Sequence, residues 1–332
     1  MSGPDTVSIV VPCYNEEQTI GLLLSAIYAQ TYPRVLMEVV LADGQSSDLT
    51  RRKIELFQSE HADLKMRVID NPRRIIPAGV NLAIQAAGGS IIIRLDAHSV
   101  PEPGYVENCV ADLKAGKGDN VGGLWLIQPG KPGWMAQSIA AAASHPLGAG
   151  DARYRYSNTA GDVDTVPFGA FNRGLFDRIG FYDETLITNE DYEFNARIRA
   201  NGGKIFFDPA IRTQYFARPT LGALARQYWR YGYWKWRMLK RFPDTLRWRQ
   251  ALPPLFVFGV LLLLILAIWF VLARILLVGG MAIYMALLIG ASIPYARRYK
   301  DYRLLIGIPA SITVMHFAWG SGFLWSLLRS GG

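Results

Sequence analysis

Val7-Ser8-Ile9-Val10-Val11-Pro12-Cys13-Tyr14-Asn15-Glu16-Glu17 holds the reading that decides the fold. Residues 7–11 form a short β-branched run of the kind that suits a strand buried on both faces of a parallel sheet. Pro12 and the polar residues after it end the run. Working outward, 19–30 reads as a helix with Ile20, Leu23, Leu24 and Ile27 on one face. A second strand over 38–42 ends at Asp43-Gly44-Gln45-Ser46-Ser47-Asp48, where Asp48 or Ser47 can cap a helix over 49–58. A third strand is expected at 65–69 and a helix at 76–87, stopped by Gly88-Gly89. A fourth strand at 90–95 ends at Asp96-Ala97-His98. This alternation predicts an α/β fold, a mostly parallel sheet with helices on both faces. Ligands of such sheets bind beyond the carboxyl ends of the strands. Polar residues cluster at three of those ends: Asn15 and Glu16, Asp43, and Asp96 with His98.

The glycine pattern excludes two nucleotide-binding classes. No G-x-G-x-x-G follows the first strand, and no G-x-x-x-x-G-K-[ST] occurs in the chain. A nucleotide held here therefore needs its diphosphate neutralised in another way. A divalent metal on Asp96 and His98 meets that need. A carboxylate plus an imidazole suits Mn²⁺ better than Mg²⁺, which prefers oxygen donors.

Composition divides the chain. Its 332 residues carry a net charge of +8, with 51% hydrophobic and 19% charged residues. Disorder is excluded by the apolar content, and two cysteines, Cys13 and Cys109, cannot staple a chain of this length. Residues 1–218 hold 21 Lys and Arg against 25 Asp and Glu, whereas 219–332 hold 14 against 2. The basic excess thus lies wholly in the C-terminal third, beside the long apolar runs. Residues 252–293 contain one charge, Arg274, and 304–328 contain none. About 20 apolar residues cross a bilayer. The second run fits one span. The first fits two spans joined near 271–275, preferred here, or one long span with a re-entrant piece broken at Gly279-Gly280. Basic clusters at 226–249 and at 297–303 then fall on one side, the cytoplasmic side by the positive-inside rule. That places the N-terminal domain in the cytoplasm and the chain in the inner (plasma) membrane as a multi-pass protein. Residues 1–6 show no basic region and no long apolar core, so no signal peptide is expected.

The opening stretch, the block 38–50, Asp96-Ala97-His98 at the position of a D-x-D, and Asn189-Glu190-Asp191 at the position of an E-D motif together resemble the family 2 glycosyltransferases, whose fold is GT-A. Gln227-Tyr228-Trp229-Arg230-Tyr231 resembles the Q-x-x-R-W motif of that family's membrane-bound members. The resemblance covers about residues 7–235. Within the family the chain looks most like the bacterial succinoglycan-type exopolysaccharide glucosyltransferases. It departs from the pattern at Gly44, where the family has a second aspartate, and at His98, where it has the last aspartate of D-x-D.

The resemblance implies an inverting hexosyltransferase that takes a UDP-sugar, UDP-glucose foremost, and extends a polyprenyl-diphosphate-linked saccharide. It implies a nucleotide pocket of Pro12, Tyr14, Glu16, Asp43 and Asp96, with Asp43 meeting the uracil or ribose edge. Asp96 and His98 become ligands of a divalent metal, Mn²⁺ or Mg²⁺. Asp191 becomes the general base, with Glu190 raising its pKa or orienting it. Gln227, Arg230 and Tyr231 fall on the diphosphate and acceptor side, as does the segment 163–171 with Asp164, Pro167, Phe168 and Gly169. Transfer to polyprenyl phosphate itself, a processive polysaccharide synthase and a nucleotide-binding membrane scaffold stay open. Three spans are few for a polymer channel, which leaves room for a homo-oligomer.

The stretch 228–237 mixes aromatics with cations. In a soluble protein it would suggest single-stranded nucleic acid. Just before an apolar run it reads as an interfacial helix on membrane lipids, with no nucleic acid as partner. The expected organisation is a catalytic domain at 1–218, amphipathic interfacial helices at 219–250 and an apolar region of about three spans at 251–330. The Ala-rich stretch 134–150, with His145, is expected to be a helix and a loop near the membrane.

Overall fold

The computed structural model describes residues 5–329. The expectation about a signal peptide falls mostly on residues outside these, as does the last residue of the 251–330 region. The chain opens with β1 (Val7–Cys13), α1 (Ile20–Tyr28), β2 (Met37–Asp43), α2 (Thr50–Glu60), β3 (Lys65–Asp70), α3 (Ile76–Ala86) and β4 (Ile91–Arg94). There follow β5 (Ser99–Pro101), α4 (Tyr105–Lys114), β6 (Asn120–Gln128), α5 (Trp134–Ala143), α6 (Pro146–Ala149), β7 (Gly161–Asp162), β8 (Ala170–Asn172), α7 (Gly174–Ile179), α8 (Glu190–Ala200) and β9 (Ile205–Phe216). Four helices complete it: α9 (Leu221–Leu239), α10 (Trp248–Leu266), α11 (Val271–Tyr299) and α12 (Leu304–Arg329).

The chain forms two compact units, Met1–Leu126 with Tyr156–Tyr215, and Ile127–Arg155 with Phe216–Gly332. The first unit is built on one sheet of order β3-β2-β1-β4-β8-β6-β9-β5, with β7 on β9. Strands β3, β2, β1 and β4 are parallel, in the register Cys13↔Asp43↔Asp70. Every residue of β1 and β2 is buried, which is why their sequences are near-continuous apolar runs. From β8 onward the observed pairings are antiparallel. The sheet is therefore mixed, where sequence pattern predicted a mostly parallel one. The antiparallel half pairs the longer β6 and β9 with β5, β7 and β8, strands of two or three residues that carry no readable period.

Glu38 ties the amino-terminal edge of this sheet. Its carboxylate accepts from Ser8 Oγ at 2.7 Å and from the Gly88 N–H, and Lys65 Nζ lies 2.7 Å away. Burial works to raise its pKa, but Lys65, Gly88 and Ser8 together hold it down at about 2.

The second unit gathers α5, α6 and α9–α12 around Ile139, Ala140, Leu224, Tyr228, Leu304, Ile308, Ile312 and Met315. Helix α9 lies against α12 closely enough that a Cβ on Gly232 would strike the Trp319 carbonyl, and one on Gly322 the Trp229 carbonyl. α10, α11 and α12 are long and apolar enough to cross a membrane, with mean hydropathies of 2.0, 2.2 and 1.4. The long apolar run is thus two helices, and they join over 267–270, just ahead of the expected 271–275. Only 11% of the apolar window of α10 and of α11 is buried, against 44% for α12. α12 is accordingly the inner helix of this unit.

Candidate functional site

The four parallel strands of the first unit end at one edge. There β1 runs into Tyr14-Asn15-Glu16, and β2 into Gly44-Gln45-Ser46. The two loops lock together: the Asn15 N–H donates to Ser46 Oγ at 2.9 Å, and Asn15 Oδ1 accepts from the Ser47 N–H at 2.9 Å. Asn15 and Gln45 both take left-handed backbone conformations, φ +54° and +58°, and Arg74 beyond β3 does the same at +55°. Such angles are uncommon without glycine, and here they sit at three neighbouring strand ends. Arg74 Nη2 donates to Gln45 Oε1 at 3.0 Å, and its guanidinium stands 5.9 Å from the centre of the exposed Tyr14 ring. Gly44 fits beneath that ring, since a Cβ there would lie 3.0 Å from Tyr14 Cδ2.

Asp43 is fully buried. Its carboxylate accepts from Ser46 Oγ at 2.6 Å and from Arg51 Nε at 2.8 Å, and Arg51 also pairs with Asp70. The expected uracil contact therefore meets an occupied carboxylate, and Asp43 as found holds the Ser46–Arg51 segment in place. Pro12 is buried in β1. Behind it, burial and the Asp43 carboxylate push the Cys13 thiol up to about 12.

Asp96 and His98 stand on a tight turn between β4 and β5. The Ser99 N–H donates to the Asp96 carbonyl at 3.0 Å and closes it. Both side chains are partly exposed, at 22% and 29%. His98 Nδ1 lies 3.8 Å from Glu16 Oε1, and the His98 ring neighbours Tyr215, which stacks on Trp125 at 4.0 Å. Among the described residues no three His, Cys, Asp or Glu converge as a metal cluster. An ion at this turn would take its remaining donors from a bound ligand and water, as cations on phosphate substrates do. One carboxylate and one imidazole fit a divalent ion of borderline softness.

Glu190 and Asp191 open α8, behind Asn189 at φ +68°. Acidic side chains suit a helix N-terminus. The two carboxylates differ in surroundings. Glu190 turns inward and pairs with Arg94 at 2.8 Å, whereas Asp191 is half-buried and accepts from the Tyr192 N–H at 2.7 Å. Burial raises Glu190 to about 7, against the lowering pull of Arg94 and with the added push of Asp191. Asp191 is raised by burial as well, with Arg94 opposing and Asp96 adding. Arg94 also reaches Asp96 at 3.3 Å, so one guanidinium links the metal-type turn to the acidic helix start.

With this edge described, comparison with known proteins is direct. Residues 8–180 match glycosyl transferase family 2. The chain belongs to that family. It is 30% identical over 327 residues to the succinoglycan biosynthesis protein ExoA of Rhizobium meliloti, covering 96% of this chain and 94% of that protein. It is 27% identical over 265 residues to the dolichyl N-acetyl-α-D-glucosaminyl phosphate 3-β-D-2,3-diacetamido-2,3-dideoxy-β-D-glucuronosyltransferase of Methanococcus voltae, covering 78% and 80%. Among solved structures, the mannosyltransferase PcManGT of Pyrobaculum calidifontis, held with GDP-Man and Mn²⁺, superposes with a TM-score of 0.67 at 20% identity, covering 93% and 87%. The fold is GT-A, and the protein is a glycosyltransferase.

In this family 2 glycosyltransferase the first unit brings Tyr14, Glu16, Asp96, His98, Glu190 and Asp191 to linked positions. Asp164, expected on the acceptor side, is buried and accepts from the Tyr192 hydroxyl at 3.0 Å. Phe168, next to Gly169, holds φ +62°. Gln227, Arg230 and Tyr231 belong to the second unit, on α9. There Gln227 Nε2 donates to the Tyr231 hydroxyl at 2.9 Å, one helical turn on, and Arg155 donates to the neighbouring Tyr228 hydroxyl at 3.2 Å. His145 caps the short α6 by accepting from the Leu147 N–H. Three residues of the first-unit edge were not singled out by sequence: Arg51, Arg74 and Arg94. Arg94 left a signal, a lone charge at the end of Ile91-Ile92-Ile93.

Proposed function

We propose that the chain is a membrane-anchored inverting hexosyltransferase. It moves a hexose, glucose foremost, from a UDP-sugar to a polyprenyl-diphosphate-linked saccharide in exopolysaccharide or surface-glycan assembly. The observation that carries this reading is the linkage of the Asp96–His98 turn to the Glu190–Asp191 helix start at one sheet edge. Tyr14, Glu16 and the Arg74 guanidinium line the nucleotide side, over a floor of Pro12 and Asp43. The acceptor oxygen bonds to the anomeric carbon as the bond from that carbon to the diphosphate oxygen breaks. UDP leaves with the electron pair, the acceptor proton passes to Asp191, and the anomeric configuration inverts. Asp96 and His98 would hold a divalent cation, Mn²⁺ or Mg²⁺, which when bound supplies positive charge against the leaving diphosphate. Gln227, Arg230 and Tyr231 serve the lipid diphosphate of the acceptor. The three apolar helices anchor the chain in the inner membrane with its first unit in the cytoplasm, where confinement to a surface helps bring the lipid-linked hydroxyl to the donor.

The relatives support the acceptor class: one is named for succinoglycan biosynthesis, and the other for transfer to a dolichyl-linked sugar phosphate. The test is incubation of membranes carrying the chain with a panel of UDP-sugars, GDP-mannose and lipid extract, followed by mass measurement of the lipid product. Addition of one hexose from one UDP-sugar is expected. A polymer ladder would indicate a processive synthase, and hexose on bare polyprenyl phosphate would relocate the acceptor. Transfer from GDP-mannose alone would overturn the donor. No transfer from any donor offered would overturn this assignment of donor and acceptor.

A further inference from the structure

Arg94 is used by none of the steps above, yet it sits between the groups that perform them. It ends β4, a strand of three isoleucines, with its side chain 4% exposed. A guanidinium in such a place is costly unless paired. Its Nη2 serves two carboxylates from distant parts of the chain, Asp96 Oδ1 at 3.3 Å and Glu190 Oε1 at 2.8 Å. The Tyr182 ring centre lies 5.5 Å from the guanidinium carbon, and the Arg94 N–H donates to the Gly169 carbonyl at 2.9 Å. Among the described residues Nε and Nη1 are buried without a hydrogen-bond partner of good geometry, and the Tyr182 hydroxyl interacts with the guanidinium. An arginine kept for stability alone is best served by a bidentate fork on one carboxylate. Here a single nitrogen is divided between two acids. The arrangement sacrifices pairing strength and sets the spacing of two carboxylates.

We propose that Arg94 is a positioning residue that fixes Asp96 relative to Glu190, and through the first turn of α8 fixes Asp191 against the donor. The proposal rests on the glycosyl-transfer reading above. That reaction needs donor and base in register to within a fraction of an ångström. The Asp96 turn and the start of α8 are separated in sequence, and the Arg94 side chain bonds to both.

The test compares the full-length chain with R94Q, R94K, E190Q and R94Q/E190Q in membranes. It reads kcat, donor KM, thermal midpoint and, by titration, the affinity for UDP in the presence of Mn²⁺. R94Q is expected to lower kcat about a hundredfold, the scale on which a misplaced catalytic group acts. R94K should recover about tenfold of that loss, because a single cation restores part of the link. The double variant should be no worse than the weaker single variant, since both break one linkage. UDP affinity should fall in R94Q and hold in E190Q, because only the first frees Asp96. Losses that multiply in the double variant, or an R94K no better than R94Q, would overturn the assignment. If R94Q does not fold, R94M/E190Q, which removes both charges together, takes its place against E190Q under the same criteria. A wild-type chain that transfers no sugar overturns the functional reading. An active wild type with multiplying losses overturns the role of Arg94 alone. The UDP titration reads Arg94 in either case.

Discussion

Glu190 and Asp191 are neighbours in sequence with different prospects. Glu190 is committed to Arg94, while Asp191 keeps a carboxylate oxygen beyond the one taken by the Tyr192 N–H. Asp191→Asn is therefore expected to cut kcat by about 10²–10⁴-fold at unchanged thermal midpoint, the usual yield of a positioned base. The pH dependence follows from the same burial. A base works only when ionised, so activity falls as pH drops through its pKa. Since burial raises Asp191, the acid limb of kcat should lie above the ordinary carboxylate value of about 4. A limb at or below that value, seen in a kcat profile across pH 4–9, would contradict the assignment. His98 gives a second check. His98→Asp makes the donor pair all-oxygen, and activity restored to metal-stripped membranes should shift from Mn²⁺ toward Mg²⁺. His98 was expected at the site because polar groups at strand ends interrupt apolar runs, whereas Glu190 and Asp191, at a helix start, were expected only through the resemblance of Asn189-Glu190-Asp191 to an E-D motif. Asp43 was expected at the site but not as a buried residue, because its partner Arg51 lies eight residues on, in the following helix.

At the scale of elements, the first seven were readable to within three residues at each end. Helices with one apolar stripe leave a clear period, and the buried strands show as short β-branched runs bounded by turn residues. β5, β7 and β8 were not readable, because two or three residues cannot show alternation. α5 was readable as a helix, but nothing in an alanine-rich run says which unit it joins. The elements also differ in what holds them. Glu38 anchors the amino-terminal edge of β2 with a carboxylate held at about 2. A depressed acid adds stability above its unfolded pKa and loses it as pH falls through the folded value. Glu38→Gln should thus destabilise the chain at neutral pH, and the difference from wild type should shrink between about pH 4.5 and pH 2. Thermal midpoints of both variants across that window test this. In the second unit, Gly232→Val would drive a side chain into the Trp319 carbonyl. Overpacking of this kind costs about 1–3 kcal/mol, so the thermal midpoint in detergent should fall, while Gly222→Ala on the same helix, whose Cβ would meet only Arg226 Nη1 at 3.9 Å, should not lower it.

For the molecule as a whole, the net charge of +8 hides two opposite halves. The acidic portion gathers carboxylates near a sheet edge. The basic portion flanks three helices that are long and apolar enough to cross a membrane. If all three cross, helix count alone fixes the sidedness. Residues 226–247 precede α10 and Arg249 lies in its first turn, α11 returns the chain, and Arg297, Arg298, Lys300 and Arg303 then lie on the starting side. The turn at 267–270 faces the other way. Two groups of cations on one face are the arrangement that positive-inside sorting favours, and each cation near an anionic surface contributes about 1 kcal/mol. Single cysteines at Tyr302 and at Trp269, in a chain whose buried Cys13 and Cys109 are replaced by alanine, test this with a membrane-impermeant thiol reagent. In sealed membrane vesicles carrying the chain, position 302 should be labelled from the side that also exposes Tyr14→Cys, and position 269 only from the opposite side. Labelling of both positions from one side would mean that α11 does not cross, and the three-span reading would give way to the re-entrant one.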